Sequence, residues 1–409
     1  MDRKVSVLLS GIGGYGELYV RSIFEHEGEG RCNIAGIVDP NPYNSSFYSE
    51  ISTRGIPIYS SMESFFEVSE ADLTVISSPI QYHCPQTCTA LQNASNVLCE
   101  KPMCATVPEA LRMIKTRDEA DRLLAIGYQW SFSKAILDLK MDVMNGNLGK
   151  PKRLKTIVLW PRDDIYYKRG WAGKKLDAQG NWILDSVANN ATAHYLHNMF
   201  FILGDKLDSS AYPEYVTAEL YRANKIENYD TCAVRVMTKD GVEILFYASH
   251  AVETVRGPVF EYEFENAVVT FENIDENSAI KATFTDGKTK LYGNPSLESP
   301  DKKLWTSIDA ILGKGMITCG PEAALSHTIC INAMSESVPD ILTYSDDIIR
   351  IKDYPSSKSR IIYVDRLADA MSKSYESSLL PAEIGFPWSG IGKRIYTVDM
   401  VTQVSAEKK

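Results

Sequence analysis

Apolar residues in the first third of the chain come in short runs, at 5–9, 34–38, 73–77, 96–99 and 123–127. Each run is short and bounded by turn or helix-start residues, so each reads as a strand. Between them, apolar positions recur at helical spacing over 16–26 and 108–120. Strands and helices in alternation predict a doubly wound parallel sheet, whose ligands sit at the carboxyl ends of the strands. A helix over 134–144 stops at Asn145-Gly146, and the pattern then changes. Longer strand-like runs follow at 154–160, 216–222, 232–238, 243–250 and 268–272. Several are separated by hairpin signals such as Lys239-Asp240-Gly241 and Thr285-Asp286-Gly287-Lys288. With helices over 322–337 and 365–377, this predicts an α+β domain built on a mostly antiparallel sheet. Phe386-Pro387-Trp388 is too aromatic for a loose end and is expected to wrap onto the protein or a neighbouring subunit.

The strand-to-helix turn after the first run reads Gly11-Ile12-Gly13-Gly14-Tyr15-Gly16. In such a turn Gly11 permits the sharp bend, Gly13 lets the backbone approach a pyrophosphate, and Gly16 lets helix and strand pack closely. The helix start adds free amides and a positive dipole end. Asp39 closes the second strand, 23 positions past Gly16. A carboxylate there accepts hydrogen bonds from ribose hydroxyls and repels a 2′-phosphate, so NAD is favoured over NADP. Asp39-Pro40-Asn41-Pro42 is also strong turn chemistry, and both roles stay open. The fold class is therefore α/β: an N-terminal NAD-binding Rossmann domain over 1–130, then an α+β domain over 131–409.

Composition narrows the class. The chain has 409 residues, 44% of them hydrophobic and 23% charged, as in a soluble globular protein of two or three domains. The net charge of −10 gives no footprint for nucleic acid. The N-terminus does not read as a signal peptide and no apolar stretch is long enough to span a membrane, so no membrane partner and a cytoplasmic location are expected. Eight cysteines without framework spacing fit a reducing compartment. His83, Cys84 and Cys88 have a metal-like spacing, but a helix start beneath the cofactor loop is the preferred reading, and no metal is expected.

Ser78-Pro79 with His83, and Glu100-Lys101-Pro102, fall at later strand ends. Together with the glycine turn, with Trp160-Pro161-Arg162, Tyr166-Tyr167, Arg169 and Trp171-Ala172-Gly173, and with the stretch from Gly180 through Asp185, they make an ordered series along the chain. In this the sequence resembles the Gfo/Idh/MocA family (glucose–fructose oxidoreductase, inositol dehydrogenase, rhizopine catabolism). The resemblance implies NAD(P)-dependent chemistry on sugars, cyclitols or glycosides, and makes 131–409 a substrate-binding and oligomerisation domain with a large, mostly antiparallel open sheet that joins a homodimer or homotetramer. It implies that Lys101 sits between nicotinamide and substrate, with a cis Lys101–Pro102 bond. It also implies that Gly11, Ile12, Gly13, Gly14, Tyr15, Gly16, Asp39, Ser78, Pro79, His83, Glu100 and Lys101 hold the cofactor.

An ammonium beside a carbinol hydroxyl stabilises the alkoxide that develops during hydride transfer, which suits Lys101. Glu100 either orients the lysine loop or binds the cofactor ribose. Oxidation also needs a base, and histidine titrates near neutrality. A helix expected over 188–203 carries Asn190, His194 and His197 on one face. His194 lies ten residues before Gly204, where the family's catalytic histidine commonly sits, and is the expected acid/base. The family's aspartate four residues earlier is Asn190 here, while Asp185 lies nine residues before His194. Either Asp185 or Asn190 takes the aspartate's place. His197 is a further polar candidate, and His250 is either a core histidine or a substrate contact. Tyr166, Tyr167, Arg169 and Trp171 form an aromatic and guanidinium cluster that either binds a sugar or simply packs its own loop. Tyr128, just after the last Rossmann strand, is expected to line the cleft. The reading is an NAD-dependent oxidoreductase. Its rivals are a glycosidase that uses retained NAD for transient oxidation and a non-catalytic nucleotide-binding sensor.

Overall fold

The first apolar run forms strand β1 (Val5–Ser10), and the runs after it form β2 (Cys32–Val38), β3 (Ile58–Tyr59), β4 (Leu73–Ile76), β5 (Asn96–Cys99) and β6 (Leu124–Ile126). The structure is a computed structural model, and it describes residues 3–398 and 400. These strands make one parallel sheet in the order β3-β2-β1-β4-β5-β6. β4 is buried at every position, as a central strand with both faces covered must be. The expected first helix runs over Glu17–Glu25, and a second covers His83–Gln92. The helix Val107–Ala120 starts where Thr106 and Glu109 form a capping box, with Pro108 in its first turn.

Register aligns the carboxyl ends. Ser10 is paired with both Val38 and Ile76, Ile76 with Cys99, and Cys99 with Ile126. The ladder runs one step further through Gly11 N to Val38 O, Ser77 N to Ser10 O, Glu100 N to Ile76 O and Gly127 N to Cys99 O, all at 2.8–2.9 Å. Asp39, Gly11, Ser77, Glu100 and Gly127 therefore stand in one row along this edge, with Ser78 and Lys101 one residue beyond it.

The chain divides into two compact units. The first runs to Phe132 and takes back Ser299–Leu325; the second holds Ser133–Glu298 and the residues from Ser326 onward. The sequence reading of two consecutive domains did not contain that return. The returning segment carries the helix Lys302–Ile311 and joins the parallel sheet, where Ile126 N donates to Cys319 O at 2.8 Å.

In the second unit, β7 (Pro151–Leu159), β8 (Pro213–Arg222), β9 (Thr231–Thr238), β10 (Glu243–Ser249), β11 (Arg256–Phe264), β12 (Ala267–Glu272), β13 (Ile280–Phe284), β14 (Thr289–Gly293) and β15 (Leu342–Thr343) form the large sheet. Its order is β14-β13-β12-β11-β7-β10-β9-β8-β15, antiparallel except at β7/β10 and β8/β15. A separate hairpin pairs β16 (Ile349–Tyr354) with β17 (Ser359–Val364). β18 (Ile395–Tyr396) adds to β8. The periodicity missed β11, because Gly257-Pro258 interrupts its start, although Phe260, Tyr262 and Phe264 then alternate inward.

The sheet's ends stay open, but its centre is covered on both faces. Ile157, Leu159, Leu245 and Tyr247 on one face pack in a cluster with Met371, Tyr375 and Leu380, from and just beyond the helix Leu367–Ser377. On the other face, Asn198 of the helix Ala193–Ile202 donates to Tyr262 Oη at 3.1 Å. The aromatic tail wraps onto its own unit. Trp388 meets the rings of Tyr221 and Tyr344 at 5.1 and 5.4 Å, and Phe386 stacks on Trp388.

Candidate active site

The glycine turn is sterically specified at two points. Gly11 has φ +81°, in the left-handed region that other residues avoid. A Cβ on Gly16 would stand 2.1 Å from Gly11 O, so only glycine lets the helix start approach the strand end. Gly13 is different: its φ is −87°, and a Cβ there would meet no protein atom within 4 Å. The backbone here is thus exposed on the side where a ligand can approach. Ile12 is fully buried beneath the turn, and its N–H donates to Asp39 Oδ2 at 2.9 Å. Asp39 Oδ1 accepts from Asn41 N at 2.8 Å. Each carboxylate oxygen keeps a further lone pair, so Asp39 shapes both turns and can still accept from a ribose.

Sequence reasoning missed how the next loop is tied to this one. Ser77 Oγ donates to Gly11 O at 2.6 Å. Ser10 and Ser78 both donate to Gln86 Oε1, at 3.1 and 2.6 Å. Pro79 begins the short turn into the helix that His83 opens. His83 is buried, with Nε2 2.8 Å from Ser78 O and Nδ1 2.8 Å from Pro102 O. Both ring nitrogens are engaged, so any influence of His83 on a cofactor passes through these two loops. Burial holds its pKa below the usual histidine value, against the pull of the two carbonyls.

Glu100 points inward. Its carboxylate accepts from Tyr19 Oη, from Lys101 N at 3.1 Å and from the ammonium of Lys303, with which it is ion-paired. Gly127 must be glycine here, because a Cβ would lie 2.9 Å from Glu100 Oε2. Lys303 also donates to Tyr15 Oη at 3.0 Å and to Gly127 O at 3.3 Å, and its ammonium lies 4.7 Å from the Tyr15 ring centre. Burial disfavours its charge, but Glu100 and Tyr15 prevail and its pKa is raised. Of the two roles expected for Glu100, the geometry supports orienting the lysine loop. Lys303 lies some 200 residues later, in the returning segment, and no local signal marks it. The Lys101–Pro102 peptide is cis and Lys101 is half-buried. Tyr128, expected in the cleft, is fully buried instead; it follows β6 into the interior, where its N–H folds back to Ile126 O.

In the second unit the helix expected over 188–203 begins only at Ala193. Local side chains compete for the backbone before it: Ser186 Oγ accepts from Asn189 N at 3.1 Å, and Thr192 Oγ1 donates to Val187 O. Asn190 therefore lies in the preceding turn rather than on a helical face with His194. It is held by Asp185, whose Oδ1 accepts from Asn190 Nδ2 at 2.8 Å while Oδ2 accepts from Gly173 N at 2.6 Å. His194 stands half-buried in the first helical turn. His197 is 1% exposed and stacks on Phe201, so it offers no surface to a substrate, contrary to expectation. Burial drives its pKa well down, helped by His327 and Lys140.

His250 is buried too. Its Nδ1 lies 2.7 Å from Trp160 O, which makes Nδ1 the protonated nitrogen and leaves Nε2 as a lone pair. Burial first, then Arg162, pushes its pKa down to about 3. Around it stands the aromatic cluster: Tyr166 lies 5.9 Å from the His250 ring, 5.2 Å from Tyr167 and 6.3 Å from Trp171. Arg162 and Arg169 lie over the Tyr166 ring, at 5.2 and 4.9 Å. The loop is thus packed by its own aromatics while keeping cations at its surface. Among the described residues, no group of three His, Cys, Asp or Glu side chains is arranged to hold a metal.

A family model described as an oxidoreductase family with an NAD-binding Rossmann fold, GFO_IDH_MocA, matches residues 5–128. This stretch belongs to the Gfo/Idh/MocA family. A 1,5-anhydro-D-fructose reductase from Ensifer adhaerens is 26% identical over 147 residues, 36% of this chain and 41% of the relative. Inositol 2-dehydrogenase 4 from Saccharopolyspora erythraea is 25% identical over 151 residues, 37% of this chain and 44% of the relative. The chain thus matches less than half the length of these Gfo/Idh/MocA-type relatives. Over most of its length the chain is similar in fold to the WlbA dehydrogenase from Bordetella pertussis, solved in complex with NADH and UDP-GlcNAcA. There the TM-score is 0.68 at 21% identity, covering 83% of this chain and 97% of that one. Among the described residues no helix is long and apolar enough to cross a membrane.

Proposed function

We propose that this chain is an NAD-dependent oxidoreductase acting on a hydroxyl of a sugar, cyclitol or glycoside. One observation carries the reading: the register of the parallel sheet sets the Gly11 turn, Asp39, Ser78 and the Glu100-Lys101 loop along one edge. The residues fit a dinucleotide. Gly13 leaves its amide side open, the start of the helix Glu17–Glu25 supplies a positive end for phosphates, and Asp39 keeps lone pairs for ribose hydroxyls while repelling a 2′-phosphate. Bound NAD supplies a hydride acceptor.

In this reading Glu100 and Lys303 fix the loop from which Lys101 reaches the carbinol oxygen, and the Lys101 ammonium stabilises the charge that develops there. His194 takes the hydroxyl proton, and Asp185 with Asn190 orders the turn that presents it. Tyr166, Trp171 and Arg169 contact the substrate. A homo-oligomer would form away from the centre of the large sheet, because the chain's own C-terminal segment covers it.

The test is NADH formation from NAD with a panel of sugars, inositols and glycosides, with Lys101→Met as control. Turnover that depends on Lys101 supports the proposal. Aglycone release with retained NADH would replace it by NAD-assisted glycoside cleavage, and binding without any turnover would replace it by a sensor.

A further inference from the structure

The loop over residues 162–175 is basic in an acidic protein. It holds Arg162, Lys168, Arg169, Lys174 and Lys175 against Asp163 and Asp164, in a chain of net charge −10. The two aspartates are engaged locally. Asp164 pairs with Lys168 at 2.8 Å, and Asp163 caps the short helix Asp164–Tyr167 by accepting from Tyr166 N at 2.9 Å. Among the described residues, Arg162, Arg169, Lys174 and Lys175 have no ion-pair partner.

Two of these cations lie against the same aromatic ring. The guanidinium carbons of Arg162 and Arg169 lie 5.2 and 4.9 Å from the centre of the same Tyr166 ring. Each is also near a tryptophan, Arg162 by Trp160 and Arg169 by Trp171, both at 5.8 Å. The Nε of Arg162 is buried without a hydrogen-bond partner. Like charges held on one ring repel, and a buried guanidinium N–H left unmade is costly. An anion on the accessible guanidinium nitrogens offsets the repulsion. A guanidinium fork matches the two oxygens of a carboxylate or phosphate, while the exposed parts of the neighbouring rings suit the CH face of a sugar.

We infer that the substrate is an acidic carbohydrate, whose carboxylate or phosphate group is bound by Arg169 and Arg162 in the 162–175 loop. The inference rests on the oxidoreductase reading and narrows its substrate class.

Calorimetric binding and NADH formation, each with NAD present, should be measured for matched probes: glucuronate and glucose 6-phosphate against glucose and myo-inositol. Arg169 is exposed, so Arg169→Gln should fold normally. Acidic probes should bind at least about tenfold more tightly than neutral ones. Arg169→Gln should raise Kd and KM for the acidic probe about 10- to 100-fold, with a larger effect on KM than on kcat, and bring its affinity down to that of the matched neutral probe. Arg169→Lys should recover part of the loss. The stronger acidic probe decides between carboxylate and phosphate.

Arg169-dependent binding without NADH keeps the anion site and removes the oxidoreductase reading. NADH from the acidic probes with no dependence on Arg169 keeps the oxidoreductase and overturns the anion site. Failure of both acidic probes to bind overturns it as well.

Discussion

The side-chain amide of Asn190 donates to Asp185 Oδ1 at 2.8 Å, so the two residues that compete for the family's aspartate position are hydrogen-bonded to each other. The sequence offers them as alternatives five residues apart; the structure makes them one unit. Asn190→Asp would place a second carboxylate against Asp185, and two such groups cannot both ionise cheaply. One carboxyl pKa should then rise in the folded state. The contribution of a group with a raised folded pKa is present at low pH and lost as pH rises through that pKa. Relative to the parent, Asn190→Asp should therefore be less stable at pH 8 than at pH 5, by about 1–3 kcal/mol, read from urea unfolding. A deficit equal at both pH values would contradict this.

Lys303→Met should strand the buried Glu100 carboxylate and cost about 3–5 kcal/mol of unfolding free energy. Adding Glu100→Gln should restore a substantial part, because the charge left without its partner is then gone. Strictly additive losses in a double-mutant cycle would show that the pair is not coupled.

Gly13 and Gly16 separate binding from folding. Gly13→Ala has room and an allowed φ, so stability should stay within about 0.5 kcal/mol, while NAD affinity falls at least about tenfold. Gly16→Ala drives a Cβ against Gly11 O and should cost about 2 kcal/mol or more. Parallel thermal melts and NAD titrations check both; unchanged NAD binding in Gly13→Ala would place the pyrophosphate elsewhere.

The cofactor half of the fold is legible because its signals are local. Each motif sits at the end of its own apolar run, and parallel pairing lines those ends up. What escapes the sequence is long-range or depends on competition for the backbone. Lys303 is an ordinary lysine until the returning segment buries it against Glu100. The start of the helix at Ala193 depends on whether Ser186 and Thr192 bond the backbone first, and that moves Asn190 off the face of His194. Strand β11 hides behind Gly257-Pro258. Tyr128 and His197 are polar enough to suggest a cleft, yet both are interior, which periodicity does not distinguish from a lining position.

His83, His197 and His250 all have their pKa values lowered by burial. A histidine with a depressed folded pKa binds fewer protons folded than unfolded, so stability falls as pH drops below the unfolded value near 6.5. For His250 that window runs down to about 3, with a slope of about 1.4 kcal/mol per pH unit. His250→Gln should lower stability at pH 7.5, yet show a pH slope shallower by one proton between pH 6 and pH 4. Urea unfolding across that range measures it, and an unchanged slope would mean that His250 is not held neutral.

The central claim is that Lys101 acts on the reacting oxygen and does not hold the fold or the cofactor. The most direct measurement is single-turnover NADH formation by Lys101→Met, alongside its NAD affinity and melting temperature. The account predicts hydride transfer slower by about 10³-fold or more, with NAD affinity within about threefold and unfolding free energy within about 1 kcal/mol. Turnover at the parent rate by the variant, on any sugar or polyol that the parent oxidises, would contradict it.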